Sequence, residues 1–115
     1  MDLPKLRKLV ALDVNDPLSR FALGKKLAET AASDSAPELQ EAAEHLRFAN
    51  RVAPDHLATY HVLAGVLIRL GKTDEARIVL KEGIARAVQV GEGMGRDLAP
   101  AMQEMLAELE NAGPA

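Results

Sequence analysis

The stretch YHVLAGVLIRLGKTDEARIVL, residues 60–80, decides the fold of this 115-residue chain. Tyr60, Leu63, Ala64 and Leu67 recur at i, i+3, i+4 and i+7, which draws one apolar stripe along a helix. Gly71 then supplies a residue that turns the chain at no steric cost. Thr73-Asp74-Glu75 starts the next helix, whose inward positions are expected at Ala76, Val79, Leu80, Ile84 and Val88. Ala64 and Ala76 are small enough to let two helix backbones approach, while Tyr60, Leu63, Leu67 and Leu80 fill the space around them. The stretch reads as a helical hairpin.

The same grammar extends in both directions and predicts six helices. Asp2 with Pro4 opens the first, carrying Leu3, Leu6, Leu9 and Val10 to a turn at Leu12-Asp13-Val14-Asn15. Asp16-Pro17 opens the second, with Leu18, Phe21, Ala22, Leu23 and Leu27 apolar, Arg20, Lys25, Lys26 and Glu29 mostly outside, and a polar loop from Thr30 to Ser35. Ser35 and Glu38 have capping-box spacing, and Leu39, Ala42, Ala43, Leu46 and Ala49 mark the buried stripe of the third. Ala53-Pro54-Asp55 ends it. The fourth, about His56 to Leu70, is apolar enough to predict burial on more than one side and a central place in the array. Gly91-Glu92-Gly93-Met94-Gly95 breaks the chain after the fifth. The sixth, about Asp97 to Asn111, carries Leu98, Met102, Met105, Leu106 and Leu109. No segment alternates with the period of a strand, so the fold class is all-α, built from antiparallel helices in one domain.

Composition narrows the function. Only Phe21, Phe48 and Tyr60 are aromatic and the formal net charge is -3, so the chain lacks both the stacking surface and the positive field of a nucleic-acid binder. Without cysteine there is no disulfide, thiolate nucleophile or cysteine-held zinc. The first twenty residues lack a secretory-signal pattern, and the longest apolar run, Val62 to Ile68, is far below the roughly 18 residues of a membrane span. The expected location is the cytoplasm, away from membranes.

Laid over a repeat template, the chain resembles the tetratricopeptide repeat family, as a small bacterial-type protein of two repeats. Tyr60-x2-Leu63-Ala64-x2-Leu67, Gly71 and Ala76-x3-Leu80 carry the clearer copy, residues 55–90. Arg20-x2-Leu23-Gly24-x2-Leu27, Ala42-x3-Leu46, Ala49 and Pro54 carry the other, residues 16–54, with about six extra residues between its helices relative to the family period. Leu12-Asp13-Val14-Asn15-Asp16 is similar to the tail of a preceding repeat. Arg20 stands where the family has a large aromatic, Ala64 where it has glycine, and Val88 where it has a closing proline, which predicts a long fifth helix. The resemblance implies hairpins stacked as a short superhelix, with residues 1–14 and 96–112 as capping helices because two repeats are fewer than the roughly three that bury a continuous core.

The resemblance also implies function: protein–protein interaction, as an adaptor or scaffold, through a concave groove lined by the first helix of each repeat. Carried over, the groove positions are Leu18, Phe21, Ala22, Lys25 and Glu29, then Ala58, His61, Val62, Gly65, Ile68 and Arg69. Lys25 and Arg69 suit carboxylates of a peptide or helix, Phe21, Val62 and Ile68 suit apolar groups, and Gly65 leaves space. The family's chaperone-tail clamp needs Lys-x3-Asn, where Phe21-x3-Lys25 stands here.

Enzyme chemistry finds no constellation. His45, His56 and His61 lack the i, i+4 spacing of a metal pair, Gly91-x-Gly93-x-Gly95 follows a helix instead of a strand, and Glu38, Glu41 and Glu44 continue into Arg47 and Arg51 as a solvated ion-pair stripe. Ser19, Ser33, Ser35 and the threonines show no convincing His/Asp partners in the sequence, and Ser35 and Thr73 read as helix caps. No catalytic residue, metal or cofactor is expected. Charge suggests one alternative: residues 1–26 hold six basic and three acidic side chains, whereas residues 92–115 hold only Arg96 against Glu92, Asp97, Glu104, Glu108 and Glu110. Head-to-tail self-association through the ends of the stack, a homodimer or larger, is the alternative reading.

Overall fold

The computed structural model describes residues 1–90 and 97–112; the expected glycine break at Gly91–Gly95 lies outside them. Six helices run in order, α1 Leu3–Leu12, α2 Pro17–Thr30, α3 Pro37–Val52, α4 Leu57–Arg69, α5 Thr73–Val90 and α6 Leu98–Asn111, and no strand occurs among the described residues. The chain forms two compact units, Met1–Pro54 and Asp55–Ala115.

In the first unit α2 and α3 form the hairpin and α1 packs on α2. The start signals work as their chemistry requires. Asp2 accepts the Lys5 amide at 3.1 Å and Asp16 accepts the Leu18 amide at 3.2 Å, each holding a first-turn N–H that the helix itself leaves unpaired. The capping-box reading of Ser35 and Glu38 is corrected. Ala36 is the N-cap, with no side-chain cap bond, and Ser35 meets the Ser33 hydroxyl at 3.1 Å. Pro37 sets the first turn one residue later, so Glu38 falls one position short of where it would complete a box.

Leu23, Leu27, Leu39, Ala42, Ala43, Leu46 and Ala49 are all buried. Gly24 is the point of closest approach: a Cβ there would lie 2.8 Å from Leu46 Cγ and 3.1 Å from the Ala42 carbonyl oxygen. Arg20 touches His45 and Phe48 while Gly24 touches Ala42 and Leu46, so contacts run backward along α3 as α2 advances. The pair is antiparallel. On α1 only Leu6 and Val10 are buried, and Leu9, grouped with the inward residues by its apolarity, is 38% exposed.

In the second unit α4 and α5 form the hairpin and α6 packs against both. Leu57, Thr59, Tyr60, Leu63, Ala64, Val66 and Leu67 are buried, which covers about half the circumference of α4 at about 100° per residue. The expectation of burial on more than one side is corrected, because the buried residues fill one half of α4 and the opposite half is only half-buried. The fully buried Thr59 hydroxyl is satisfied by His56 Nδ1 at 2.7 Å. Gly71 ends α4 at φ 78°, and the Gly71 and Lys72 amides donate back to the Ile68 and Leu67 carbonyls at 3.0 and 2.8 Å. That double bond is the Schellman closure a glycine permits.

Thr73 is the first residue of α5 and not a residue preceding it. The inward stripe of α5 is Ala76, Val79, Leu80, Gly83 and Ala87. Val88, expected inside, is 76% exposed, and Ile84 is half-buried. The reason is Gly83: a Cβ there would come within 2.7 Å of Tyr60 Cβ and 2.8 Å of Met102 Sδ. The bare backbone is what faces α4 and α6, and that rotation turns Val88 outward. Tyr60 and Met102 against Gly83, with Asp55 to Arg86 at 2.9 Å and Arg77 to the Leu109 carbonyl at 3.3 Å, set both helix pairs antiparallel. At 18 residues α5 is the longest helix.

Candidate functional site

The candidate groove residues occupy one face on each of two helices. On α2, Leu18, Phe21, Ala22, Lys25 and Glu29 fall within an arc of about 100°, opposite Leu23, Gly24 and Leu27. Leu18, Lys25 and Glu29 are exposed, and Phe21 and Ala22 half-buried. Phe21, Ala22, Lys25 and Glu29 line an open depression of about 320 Å³ with Lys26 and with Met1 and Leu6. On α4, Ala58, His61, Val62, Gly65, Ile68 and Arg69 share an arc of about 120° away from the buried face, and all are half-buried. A Cβ on Gly65 would meet nothing within 4 Å, so the backbone is open there.

The chemistry of both faces is mixed. Phe21 and Leu18 offer apolar surface beside a lysine and a glutamate on α2. Val62 and Ile68 offer it beside His61 and Arg69 on α4.

Behind the α2 face runs a polar network that residue spacing did not reveal. Arg7 of α1 grips Glu41 of α3 with two bonds, 2.6 and 3.0 Å. Glu41 also meets His45 Nε2 at 3.2 Å, and His45 Nδ1 meets Arg20 Nη1 at 3.3 Å. A guanidinium only donates, so Nδ1 must accept and Nε2 carries the proton toward Glu41. Arg20 also donates from Nε to the Val14 carbonyl at 2.8 Å and lays its guanidinium 4.4 Å from the Phe48 ring centre, with Arg51 at 5.6 Å. This explains an arginine at the repeat's aromatic position: its flat cation stacks on Phe48 as a ring would. The solvated stripe expected of Glu38, Glu41, Glu44, Arg47 and Arg51 is thereby corrected at two members. Glu41 reaches across to another helix, and Arg51 lies over Phe48.

The Arg7 bonds, opposed by partial burial and helped by His45, hold the Glu41 carboxyl below its ordinary value of 4.5. Glu41 therefore stabilises the fold fully above that value, and the contribution disappears as pH falls through the lower folded one. Both partners are partly exposed, so Glu41→Gln is expected to cost about 1 kcal/mol at pH 7 in urea unfolding. The gap to the unsubstituted chain should narrow as pH drops below 4.5.

The three histidines have separate settings. His45 belongs to this network, His56 serves Thr59, and His61 sits on the α4 face. No cluster of three metal-binding side chains occurs among the described residues, and no described helix is long and apolar enough to cross a membrane.

No curated protein matches the chain. The tetratricopeptide repeat family model matches residues 35–92, just over half the chain, from the residues before α3 through α4 and α5. The α4–α5 hairpin with its glycine closure, the small residues at the helix contact and the buried Tyr60, Leu63, Leu67 and Leu80 are what that pattern encodes. The chain belongs to the tetratricopeptide repeat family, whose repeats mediate protein–protein interaction.

Proposed function

We propose that this protein is an adaptor or scaffold that binds a partner's peptide or helix at exposed helix faces, that of α2 in the first unit and that of α4 in the second. The observation that supports the reading is that α2 and α4 each leave one face free of core residues, with α4 lying inside the residues that the family model matches. Each presents half-buried apolar groups beside charge, opposite its hairpin's packed side. Phe21, Val62 and Ile68 are the apolar anchors, Lys25, Glu29, His61 and Arg69 set polarity and direction, and Gly65 admits close approach. The repeats run over 16–54 and 55–90, with α1 and α6 as caps, and the module is non-catalytic, free of cofactors and cytoplasmic.

A selection from a displayed peptide library on the immobilised chain, followed by calorimetry on the best sequence, tests this. Phe21→Ala and Ile68→Ala should each weaken binding about tenfold or more with the helical circular dichroism unchanged. Gln40→Ala, on the exposed side of α3, should leave it unaltered. Selected peptides that bind all of these variants equally would remove the two faces from consideration.

A further inference from the structure

The outer faces of α1 and α6 carry charges that work against their own helices. Helix N-termini favour acids and C-termini favour bases. Yet α1, whose acid at that end is the N-cap Asp2 alone, presents Lys5 in its first turn, and α6 has no base in its last turn and presents Glu108 and Glu110. Like charges are also paired along each helix. Lys5 and Lys8 stand at i, i+3, and Glu104 and Glu108 at i, i+4, spacings at which like charges repel. Among the described residues no ion pair reaches any of these four side chains.

Each charged pair borders apolar surface. Lys5, Lys8, Leu9 and Leu12 lie at i, i+3, i+4 and i+7, all exposed, with Leu9 at 38% and Leu12 at 83%. That is the pattern of a buried helix stripe, on the side of α1 turned away from Leu6 and Val10. On α6, Glu104 and Glu108 flank the half-buried Ala101 and Met105.

We propose that the Lys5–Lys8–Leu9–Leu12 face of α1 docks on the Glu104–Glu108 face of α6 in a second copy of this chain. The two lysines meet the two glutamates, Leu9 and Leu12 lie against Ala101 and Met105, and the repulsion within each helix is relieved. Because the two faces differ, the contact joins unlike surfaces, and it closes into a dimer or ring where the rotation between copies allows and repeats from copy to copy where it does not. One short helix face on another buries less than the roughly 800 Å² per partner of a standard interface, so the association is weak and salt-sensitive.

Light scattering behind size exclusion, on the full chain from micromolar to millimolar concentration, tests it. At 50 mM salt the mass should rise above one chain with concentration, and 0.5 M salt should weaken association about tenfold or more. K5E/K8E and E104K/E108K should each stay at one chain, and an equimolar mixture of the two should associate again. The reversals put an acid at position 5 in the first turn of α1 and a base at position 108 in the last turn of α6, which favours both helix ends, while positions 8 and 104 are exposed mid-helix sites; circular dichroism verifies that both variants fold. A mass fixed at one chain throughout, variants that assemble like the unsubstituted chain, or a mixture that stays monomeric would each overturn the proposal. None of these outcomes bears on peptide binding at α2 and α4, which Lys5, Lys8, Glu104 and Glu108 do not line.

Discussion

Gly83→Val is expected to destabilise the second unit by about 3 kcal/mol or more, the larger of two steric effects that separate the glycines of this chain. The first added carbon already falls 2.7 Å from Tyr60 Cβ, 2.9 Å from Tyr60 Cγ and 2.8 Å from Met102 Sδ. The Met102 thioether can rotate away, but Tyr60 Cβ is one bond from the α4 backbone and the residue is 2% exposed. The helices must therefore separate. A branched side chain extends the conflict, and the helix-propensity gain over glycine, under about 1 kcal/mol, does not offset it. Gly83→Ala should cost less, about 1–2 kcal/mol after that gain. Gly65→Ala should have the opposite sign, adding about 0.5–1 kcal/mol, because its Cβ meets nothing within 4 Å. Urea unfolding of the three variants checks the order. A Gly83→Val chain as stable as the unsubstituted one would mean that α4, α5 and α6 do not pack at this distance. Gly65→Ala also separates stability from binding, since a more stable chain that loses peptide affinity would place the ligand against that bare backbone.

Leu46→Ala is expected to cost about 3 kcal/mol, by loss of a fully buried side chain and the cavity left behind. Its particular interest is its coupling to Gly24. In the unsubstituted chain Gly24→Ala should destabilise, since Leu46 Cγ stands 2.8 Å from the new carbon. With Leu46 reduced to alanine, two of the three nearest atoms, Leu46 Cγ and Cδ2, are gone, and the Ala42 carbonyl oxygen stays at 3.1 Å. A neighbour at that distance gives way by a few tenths of an ångström, and the methyl group fills part of the cavity. The double variant should then be less destabilised than the sum of the single ones by about 1 kcal/mol or more. Strict additivity would show that Gly24 and Leu46 do not share the space between α2 and α3.

Periodicity and punctuation made most of the local structure legible. Asp2, Asp16 and Gly71 end or begin helices through bonds to neighbours a few residues away, so their effect is written in short windows of sequence. The stripes of α3 and α4 are legible for the same reason, because a strong apolar period has only one way to face inward. Where a stripe is weak, the reading slips. Ile84 and Val88 have the hydrophobicity of inward residues, yet α5 turns its glycine side inward, because helix spacing rewards the absence of a side chain as much as the presence of one. Leu9 has the same apolarity as Leu6 but falls on the outer side of α1.

The candidate faces divide along the same line. That α2 and α4 each have a face free of core residues follows from spacing, and the family resemblance pointed to those faces. Spacing is silent about which polar groups meet across helices. Arg7 finds Glu41 and Arg20 finds His45 and Phe48 over 34, 25 and 28 positions of chain, and no local rule links them. The sequence by itself determined six helices, the caps at Asp2, Asp16 and Gly71, the repeat pattern and the all-α class, because each depends on interactions within a few turns. Only the tertiary structure decided the rotation of α5 about Gly83, the outward position of Leu9 and Val88, and the polar network behind α2. Those depend on how closely two helices approach, a distance set by packed side chains far apart in the chain.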